Sequence, residues 1–228
     1  MKAVIFDMYE TLITLFESPI YFGTQMAADI GLPVDVFRSV WDAMEEDRTV
    51  GKIAMEEALE IILEKNQCYS EETLKKVAAK RVAAKRECFR HLHPEIIPML
   101  SELKKRGIKL GLISNCFSEE AMVIRESILM PYFDAVYLSY EQGIQKPNKE
   151  IFMRCMNELE VTPQECVYVG DGGSCELETA ETIGMKALQA TWYLKEGTTQ
   201  PTGRKPNFLH LNTPLEVMEY IKRDQETE

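Results

Sequence analysis

Residues 1–14 read MKAVIFDMYETLIT, and this stretch decides the fold that the sequence predicts. Residues 3–6 (AVIF) form a short apolar run rich in β-branched side chains, and the charge of Asp7 ends it abruptly. Such a run is typical of a buried parallel strand, and open α/β sheets bind ligands beyond the carboxyl ends of their strands. Because an unpaired carboxylate is costly there, we expect a cation beside Asp7. The alternative is that Asp7 only caps the next helix or turn.

The composition is ordinary for a soluble globular protein, with 45% apolar and 28% charged residues. A net charge of −11 without a basic tail argues against non-specific binding to nucleic acid. No stretch is apolar for long enough to span a bilayer, and the first residues lack the pattern of a secretory signal. We therefore expect a cytoplasmic protein, a monomer or a homodimer, without membrane or nucleic-acid partners.

The cysteines, histidines and basic residues argue against several other kinds of site. The six cysteines include no C-x-x-C pair, so reduced thiols are expected, and the three histidines suggest neither a zinc site nor a catalytic triad. The segment 75–90 is rich in lysine and arginine at helical spacing. We predict that it forms a solvated helix face rather than a DNA site.

The order of apolar patterns predicts an α/β fold with an inserted helical block. Residues 15–90 have helical periodicity and no convincing strand. Four helices are predicted there, over 19–30, 34–47, 54–65 and 71–90. After residue 90 strands and helices alternate, which indicates a doubly wound parallel sheet. The predicted strands are 109–113, 135–138, 166–169 and 186–190. The predicted helices are 93–103, 118–127, 149–159, 176–183 and 214–223. Residues 197–206 are predicted to form a loop.

Three further stretches place reactive side chains where predicted strands or helices meet loops. Ser114 and Asn115 end a strand, Lys146 precedes the helix that starts at residue 149, and Asp171 follows a strand within Gly170-Asp171-Gly172-Gly173. Each has an ordinary alternative reading: a turn or helix cap, a solvated lysine, and a tight turn with a capping aspartate. Taken together with Asp7, they bring carboxylates, a hydroxyl and an ammonium group to one sheet edge, a set that suits Mg²⁺ and a phosphate group.

These four stretches resemble motifs I to IV of the haloacid dehalogenase-like (HAD) hydrolase superfamily. Motif I is an apolar strand followed by Asp-x-Asp-x-Thr, which reads Asp7-Met8-Tyr9-Glu10-Thr11 here. The resemblance covers the whole chain. It implies a Rossmann-like core of residues 1–14 and 91–228, with residues 15–90 inserted as an all-helical cap of the C1 type.

The resemblance also implies a role for each site residue. Asp7 would be the nucleophile and a Mg²⁺ ligand, with Asp171 and the main-chain carbonyl of Tyr9 completing the metal set. Lys146 and Ser114 would bind phosphate, and Thr11 and Asn115 would contact substrate. Glu176, five residues after Asp171, would support the metal or Lys146. The implied activity is phosphatase chemistry on a small phosphorylated metabolite through an aspartyl-phosphate intermediate.

Motif I departs from the family pattern at Tyr9, where the second aspartate usually protonates the leaving oxygen, and at Glu10, where glycine is usual. Metal-independent L-2-haloacid dehalogenases of the superfamily also have tyrosine at that position, but they have serine at the position of Asp171. The carboxylate of Asp171 favours the phosphatase, with Glu10 as a hypothetical substitute acid. The alternatives are a dehalogenase-like hydrolase and a binding protein that has lost turnover.

Overall fold

The computed structural model describes residues 1–195 and 203–227, with side chains to residue 224, and contains a sheet of six parallel strands. Neighbouring strands are parallel throughout, in the order β3-β2-β1-β4-β5-β6. The strands are β1 (Ala3–Phe6), β2 (Lys109–Ser114), β3 (Ala135–Leu138), β4 (Cys166–Gly170), β5 (Lys186–Ala190) and β6 (Leu209–Leu211). The doubly wound parallel sheet predicted from the sequence is confirmed.

Helices occupy most of the remaining chain. Between β1 and β2 they are α1 (Gly23–Ile30), α2 (Val34–Trp41), α3 (Glu45–Thr49), α4 (Met55–Lys65), α5 (Glu71–Cys88) and α6 (Ile96–Lys105). After β2 they are α7 (Ser118–Glu126), α8 (Ser139–Gln142), α9 (Lys149–Glu158), α10 (Glu176–Thr182) and α11 (Glu216–Thr227). None of the helices in the described ranges is long and apolar enough to cross a membrane.

The sheet has a packed core on each face because its strands alternate their side chains. Val4 and Phe6 of β1 pack with α6, α7 and α11, whereas Ala3 and Ile5 pack with α9 and α10 on the opposite face. All four side chains are fully buried, which is why β1 has no polar position before Asp7.

The strand order reverses at β1. The chain runs outward through β2 and β3 on one side of β1 and through β4, β5 and β6 on the other. In open α/β sheets the crevice at such a reversal is where ligands bind. Asp7 follows β1 and Asp171 follows β4, so both carboxylates lie at this crevice.

Helices α1, α2, α4 and α5 enclose a small hydrophobic core of their own. Its fully buried members include Met26, Phe37, Leu59 and Val77, and it is separate from the two cores of the sheet. The helical character predicted for residues 15–90 is thus found, and the predicted helix 34–47 is divided into α2, a 3₁₀ turn over Asp42–Met44 and α3. The exact division of the chain at residues 14 and 91 stays a prediction.

One short strand was absent from the sequence prediction. β6 has only three residues, one of which is the exposed Leu209, so it gives almost no apolar pattern. It pairs with β5 at the edge of the sheet. The predicted loop 197–206 lies partly outside the described residues.

The prediction of a solvated basic face over residues 75–90 is wrong for Arg81 and Lys85, which are both buried. Arg81 Nε lies 2.6 Å from Glu119 Oε1, and Lys85 Nζ lies 2.6 Å from Glu120 Oε1. Burial alone would lower the pKa of Arg81, but the charges of Glu119 and Glu120 outweigh this effect, so the pKa of Arg81 is raised. These ion pairs join α5 of the helical block to the first turn of α7.

We expect Arg81→Met to destabilise the protein by about 3–5 kcal/mol, because the buried carboxylate of Glu119 loses its partner. The matched control is Arg86→Met, which removes another α5–α7 ion pair, with Glu126, whose members are about half exposed. The control should stay within about 1 kcal/mol of wild type. Urea unfolding checks both variants, and equal effects would show that the buried pair does not hold the helical block to the sheet.

Candidate active site

Asp7 is held at the end of β1 by its backbone, and a lysine from a distant part of the chain meets its carboxylate. The backbone N–H of Asp7 donates to the carbonyl of Val169 at the end of β4. Lys146 Nζ donates to Asp7 Oδ1 at 2.6 Å and also to Glu176 Oε2. All three side chains are buried. The cation expected beside Asp7 is therefore Lys146, and the alternative of Asp7 as a simple helix cap does not describe its contacts.

Glu176 is fixed by groups from β4 and the loop that follows it. Tyr168 donates its hydroxyl to Glu176 Oε2 at 2.8 Å, and the N–H of Gly172 donates to Oε1 at 3.2 Å. A Cβ on Gly170 would lie 2.0 Å from Glu176 Oε1, so only glycine leaves room for this carboxylate. Glu176 thus contacts Lys146, and its predicted role in supporting the metal or Lys146 stays a prediction. Tyr168 contacts the same carboxylate and was missed in the sequence analysis.

Asp171 completes a cluster of three carboxylates. Ligand oxygens of Asp7, Asp171 and Glu176 all lie within 4.8 Å of one another. Asp171 Oδ1 accepts a hydrogen bond from the N–H of Gly173 at 2.9 Å, which orients it. Carboxylate oxygens at this spacing are the ligands that Mg²⁺ prefers, so the side chains present fit such an ion.

The electrostatics of the cluster favour an additional cation. Burial and the charge of Asp171 raise the pKa of Asp7, whereas the charge of Lys146 lowers it. The net effect is a raised pKa. Burial also raises the pKa of Glu176 to about 8, and Asp7 adds to this rise while Lys146 opposes it. One lysine therefore does not balance three carboxylates, and a divalent ion would lower the free energy of their charged forms.

Asn115 positions Lys146 by pairing with its backbone in both directions. The N–H of Lys146 donates to Asn115 Oδ1 at 2.8 Å, and Asn115 Nδ2 donates to the carbonyl of Lys146 at 2.9 Å. Ser114 is fully buried at the end of β2, and its hydroxyl lies 3.4 Å from the carbonyl oxygen of Asn115. The predicted contact of Ser114 with phosphate stays a prediction.

Thr11 lies in the turn that follows β1 and is fully buried. Its hydroxyl has no hydrogen-bond partner among the described residues, whereas its carbonyl accepts from Trp192 Nε1 at 2.8 Å. An unpaired buried hydroxyl is unusual. Thr11 is not among the residues that line the cavity beside Asp7, and its predicted contact with substrate stays a prediction.

Tyr9 places its aromatic ring near the helical block. The ammonium group of Lys85 lies 5.5 Å from the centroid of the Tyr9 ring. Burial raises the pKa of Tyr9 well above its usual value, and the charges of Glu120 and Glu119 add to the effect. Its hydroxyl therefore keeps its proton and does not replace the carboxylic acid that the family pattern has at this position. The predicted use of its main-chain carbonyl as a metal ligand stays a prediction.

Glu10 has a left-handed backbone, with φ of 56°, a conformation that explains why glycine suits this position. Its Oε2 accepts from the hydroxyl of Thr14 at 2.8 Å and its Oε1 accepts from the N–H of Leu15 at 2.9 Å. The side chain thus stabilises the turn after Asp7. Its role as a substitute acid stays a prediction.

The site opens into a cavity of about 700 Å³. Its lining combines the catalytic candidates with apolar and basic side chains from other segments. The lining residues are Asp7, Tyr9, Glu10, Leu15, Phe16, Asn115, Lys146, Asp171, Gly172, Gly173, Ser174, Cys175, Glu176, Gly203, Arg204 and Lys205. The volume is that of a site for a small metabolite.

An acidic residue follows the first strand, and a buried lysine and two further carboxylates meet it at the reversal point of a parallel sheet. The family model described as haloacid dehalogenase-like hydrolase matches residues 1–184. The chain belongs to this family of hydrolases.

Among curated proteins, the chain is similar to glyceraldehyde 3-phosphate phosphatase of Methanopyrus kandleri, with 31% identity over 65% of each chain. It is also similar to human N-acylneuraminate-9-phosphatase, with 34% identity over 46% of this chain and 42% of that protein. The matched segments thus span less than two thirds of the length of these relatives.

Solved structures with the same fold include proteins named for two different activities. One is a HAD phosphatase from Thermococcus onnurineus, with a TM-score of 0.65 and 20% sequence identity. The superposition covers 97% of this chain and 98% of the phosphatase chain. Another is a 2-haloacid dehalogenase from Pseudomonas syringae, with a TM-score of 0.68 and 21% sequence identity. The superposition covers 98% of this chain and 99% of the dehalogenase chain. At these identities the likeness establishes the fold alone.

Proposed function

We propose that the protein is a Mg²⁺-dependent phosphatase that hydrolyses a small phosphorylated metabolite through an aspartyl-phosphate on Asp7. The observation that carries the proposal is the cluster of three carboxylates around Lys146 at the switch point of the sheet. The metal-independent dehalogenases that motif I also resembles have serine at the position of Asp171, so the carboxylate of Asp171 favours the metal-dependent phosphatase. The phosphatases among the similar curated proteins support the same choice.

In the first step an oxygen of Asp7 attacks phosphorus, the bond between phosphorus and the alcohol oxygen breaks, and the alcohol leaves after its oxygen takes a proton from Glu10 or from water. Lys146, which already contacts Asp7, offsets negative charge on the phosphoryl oxygens, while Asn115 holds Lys146 in place. In the second step water attacks the phosphorus of the aspartyl-phosphate and frees both inorganic phosphate and the Asp7 carboxylate. Asp7, Asp171 and the carbonyl of Tyr9 would hold the Mg²⁺, which supplies positive charge to the phosphoryl oxygens.

The helical block would act as the cap that covers the site. Leu15 and Phe16, which lead into it, already line the cavity. A cap excludes water and selects substrates by its shape. The substrate class is therefore set by the walls of the cavity rather than by the cluster around Asp7.

The test is phosphate release from an aryl phosphate with Mg²⁺ and with chelator, together with halide release from a 2-haloacid under the same conditions. Phosphate release that chelator abolishes supports the proposal. The matched variant Asp171→Asn keeps the nucleophile but should raise the Mg²⁺ concentration needed for half-maximal rate. Halide release that is indifferent to chelator would replace the proposal by the dehalogenase, and ligand binding without either activity would leave a binding protein.

Glu10→Gln separates a catalytic role of Glu10 from a structural one. If Glu10 donates the proton to the leaving oxygen, the variant should lose about a hundredfold to ten-thousandfold in rate on an alkyl phosphate. An aryl phosphate has a good leaving group and should lose much less. Since Gln retains an acceptor for Leu15, an equal small loss on both substrates would assign Glu10 to the turn alone.

A further inference from the structure

A second cavity lies where the helical block meets the start of α7, and we call it the Arg48 cavity. Its volume is about 700 Å³, and its lining includes Trp41 of α2, Arg48 of α3 and Phe117, which directly precedes α7. Leu15 lines both this cavity and the catalytic one. The two cavities are therefore neighbours, but the Arg48 cavity contains none of the three carboxylates of the acidic cluster.

Arg48 is a buried arginine with two nitrogen atoms that lack partners. It is 2% exposed, and the centroids of the Trp41 and Phe117 rings lie 3.7 Å and 4.1 Å from its Cζ. Its Nη2 donates to the carbonyl of Trp41 at 3.3 Å, whereas Nε and Nη1 have no hydrogen-bond partner among the described residues. Aromatic rings stabilise a cation, but rings packed against its face do not accept its in-plane N–H groups. Unpaired buried donors of this kind point to a group that binds beside them.

The other cations that line the Arg48 cavity each pair with a carboxylate. The pairs are Arg38 with Asp42, Arg81 with Glu119 and Lys85 with Glu120. Glu45, an exposed residue of α3, also lines the cavity, but it forms no ion pair with the free nitrogen atoms of Arg48. Three buried cations thus meet two buried carboxylates at this interface, and Arg48 is the cation left over.

The charge of Arg48 is incompletely balanced by its surroundings. Burial lowers the pKa of Arg48 to about 10, since Glu119 opposes this effect only in part and Arg81 adds to it. The guanidinium group therefore stays charged at neutral pH, although burial makes that charge costly. A carboxylate or phosphate group in the cavity would supply both the missing charge and the missing acceptors, because such groups bind guanidinium donors strongly.

We propose that the Arg48 cavity binds an oxyanion, the carboxylate or phosphate group of a small ligand, at the free donors of Arg48. Two sources have this chemistry. One is a second anionic group of the substrate, since Leu15 joins this cavity to the catalytic one. The other is a separate small anion. The inference goes beyond the proposed function, because the anion site does not depend on Asp7 as a nucleophile.

Calorimetric titration with sodium sulfate, in the presence of chelator, tests the site without turnover. Wild type should bind sulfate saturably, and Arg48→Met should lower the affinity at least about tenfold, as expected for hydrogen bonds to a charged group. Arg38→Met is the matched control, because Arg38 lines the same cavity but is exposed and pairs with Asp42. It should lower the affinity less than about threefold. Sulfate binding that is unchanged by Arg48→Met, or lost equally in both variants, would overturn the proposal.

Urea unfolding separates loss of binding from loss of fold. Because Arg48→Met removes an incompletely balanced buried charge, the variant should be at least as stable as wild type when sulfate is absent. Wild type should gain more stability from sulfate than the variant, since only wild type binds it in the Arg48 cavity. Arg48→Lys keeps the charge with fewer donors and should bind sulfate with intermediate affinity. Equal stabilisation of all three proteins by sulfate would assign Arg48 to packing between the rings alone.

Two phosphate esters then distinguish the two sources of the anion. 3-Phosphoglycerate has a carboxylate besides its phosphate group, and glycerol 3-phosphate has none. Both are titrated into Asp7→Asn protein with and without Arg48→Met, so that the result does not depend on phosphatase activity. A preference for 3-phosphoglycerate that Arg48→Met removes identifies the anion as part of the substrate. Equal affinities for the two esters, with Arg48-dependent sulfate binding, identify a separate anion, and no Arg48-dependent binding of any of the three compounds refutes the site.

Discussion

Replacement of Asp7 by asparagine should abolish phosphate release, with a loss on the order of 10⁴- to 10⁶-fold, as for other residues that act as covalent nucleophiles within a unit. The amide is nearly the same size but is a poor nucleophile. It also carries no charge to pair with Lys146 Nζ, now 2.6 Å from Asp7 Oδ1. Steady-state phosphate release with Mg²⁺ measures the loss.

The same variant should fold at least as well as wild type. The pKa of Asp7 is raised in the folded protein, so its charged form costs stability at neutral pH. Lys146 still has Glu176 as a partner after the substitution. An unchanged or higher midpoint of urea unfolding would therefore separate loss of chemistry from loss of fold.

Cys175→Ser is the matched control for this experiment. Cys175 is an exposed thiol in the lining of the same cavity and is another side chain there that could be taken for a nucleophile. Its substitution should change the rate by no more than about threefold. If instead Asp7→Asn kept its activity while Cys175→Ser lost it, the covalent intermediate would belong to the cysteine.

The closeness of Asp7 and Asp171 could be predicted from local sequence patterns, whereas Lys146 and Glu176 were placed beside them only by the family resemblance. Asp7 and Asp171 follow short apolar strands, and a glycine marks the second of them. Parallel strands bring their carboxyl ends to one edge whatever the length of chain between them. The meeting of Lys146 with Asp7, 139 residues apart, follows from that topology together with the family resemblance.

Residues that serve the site through long-range packing could not be predicted in this way. Tyr168 and Gln189 are single polar positions within apolar strands, and alternation alone does not tell which partner a buried polar group will find. Arg81 has the same basic pattern as its exposed neighbours, and only its contact with Glu119 on α7 decides its burial. For each of these three residues, the contact that decides its role is made with another element of the fold, which for Gln189 is the carbonyl of Asp171.

Substitution of Lys146 by methionine should affect both activity and stability. Its Nζ lies between the carboxylates of Asp7 and Glu176, and the side chain is 2% exposed. Removing this buried ammonium group leaves both carboxylates without a cationic partner, which we expect to cost about 3–5 kcal/mol of unfolding free energy. Loss of its charge in the transition state should lower the rate by about a hundredfold to a thousandfold.

The stability loss should depend on pH in a defined direction. The pKa of Lys146 is raised in the folded state, because Asp7 and Glu176 outweigh the opposing effect of burial, so its stabilisation is complete throughout the neutral range. In the methionine variant the unpaired carboxylates bind protons in the folded state at pH values where the unfolded chain has lost them. The variant should therefore become less stable as the pH rises from about 5 to 8, and its deficit relative to wild type should widen.

Urea unfolding at pH 5 and pH 8, with and without Mg²⁺, measures this prediction, and Lys75→Met is the matched control. Lys75 forms an exposed ion pair with Glu71 on α5, so its loss should change stability by less than about 1 kcal/mol at either pH. A divalent ion among Asp7, Asp171 and Glu176 would replace part of the missing positive charge, so Mg²⁺ should restore more stability to Lys146→Met at pH 8 than at pH 5. If the deficit were the same at both pH values and indifferent to Mg²⁺, the three carboxylates would not form the coupled cation site on which the phosphatase proposal depends.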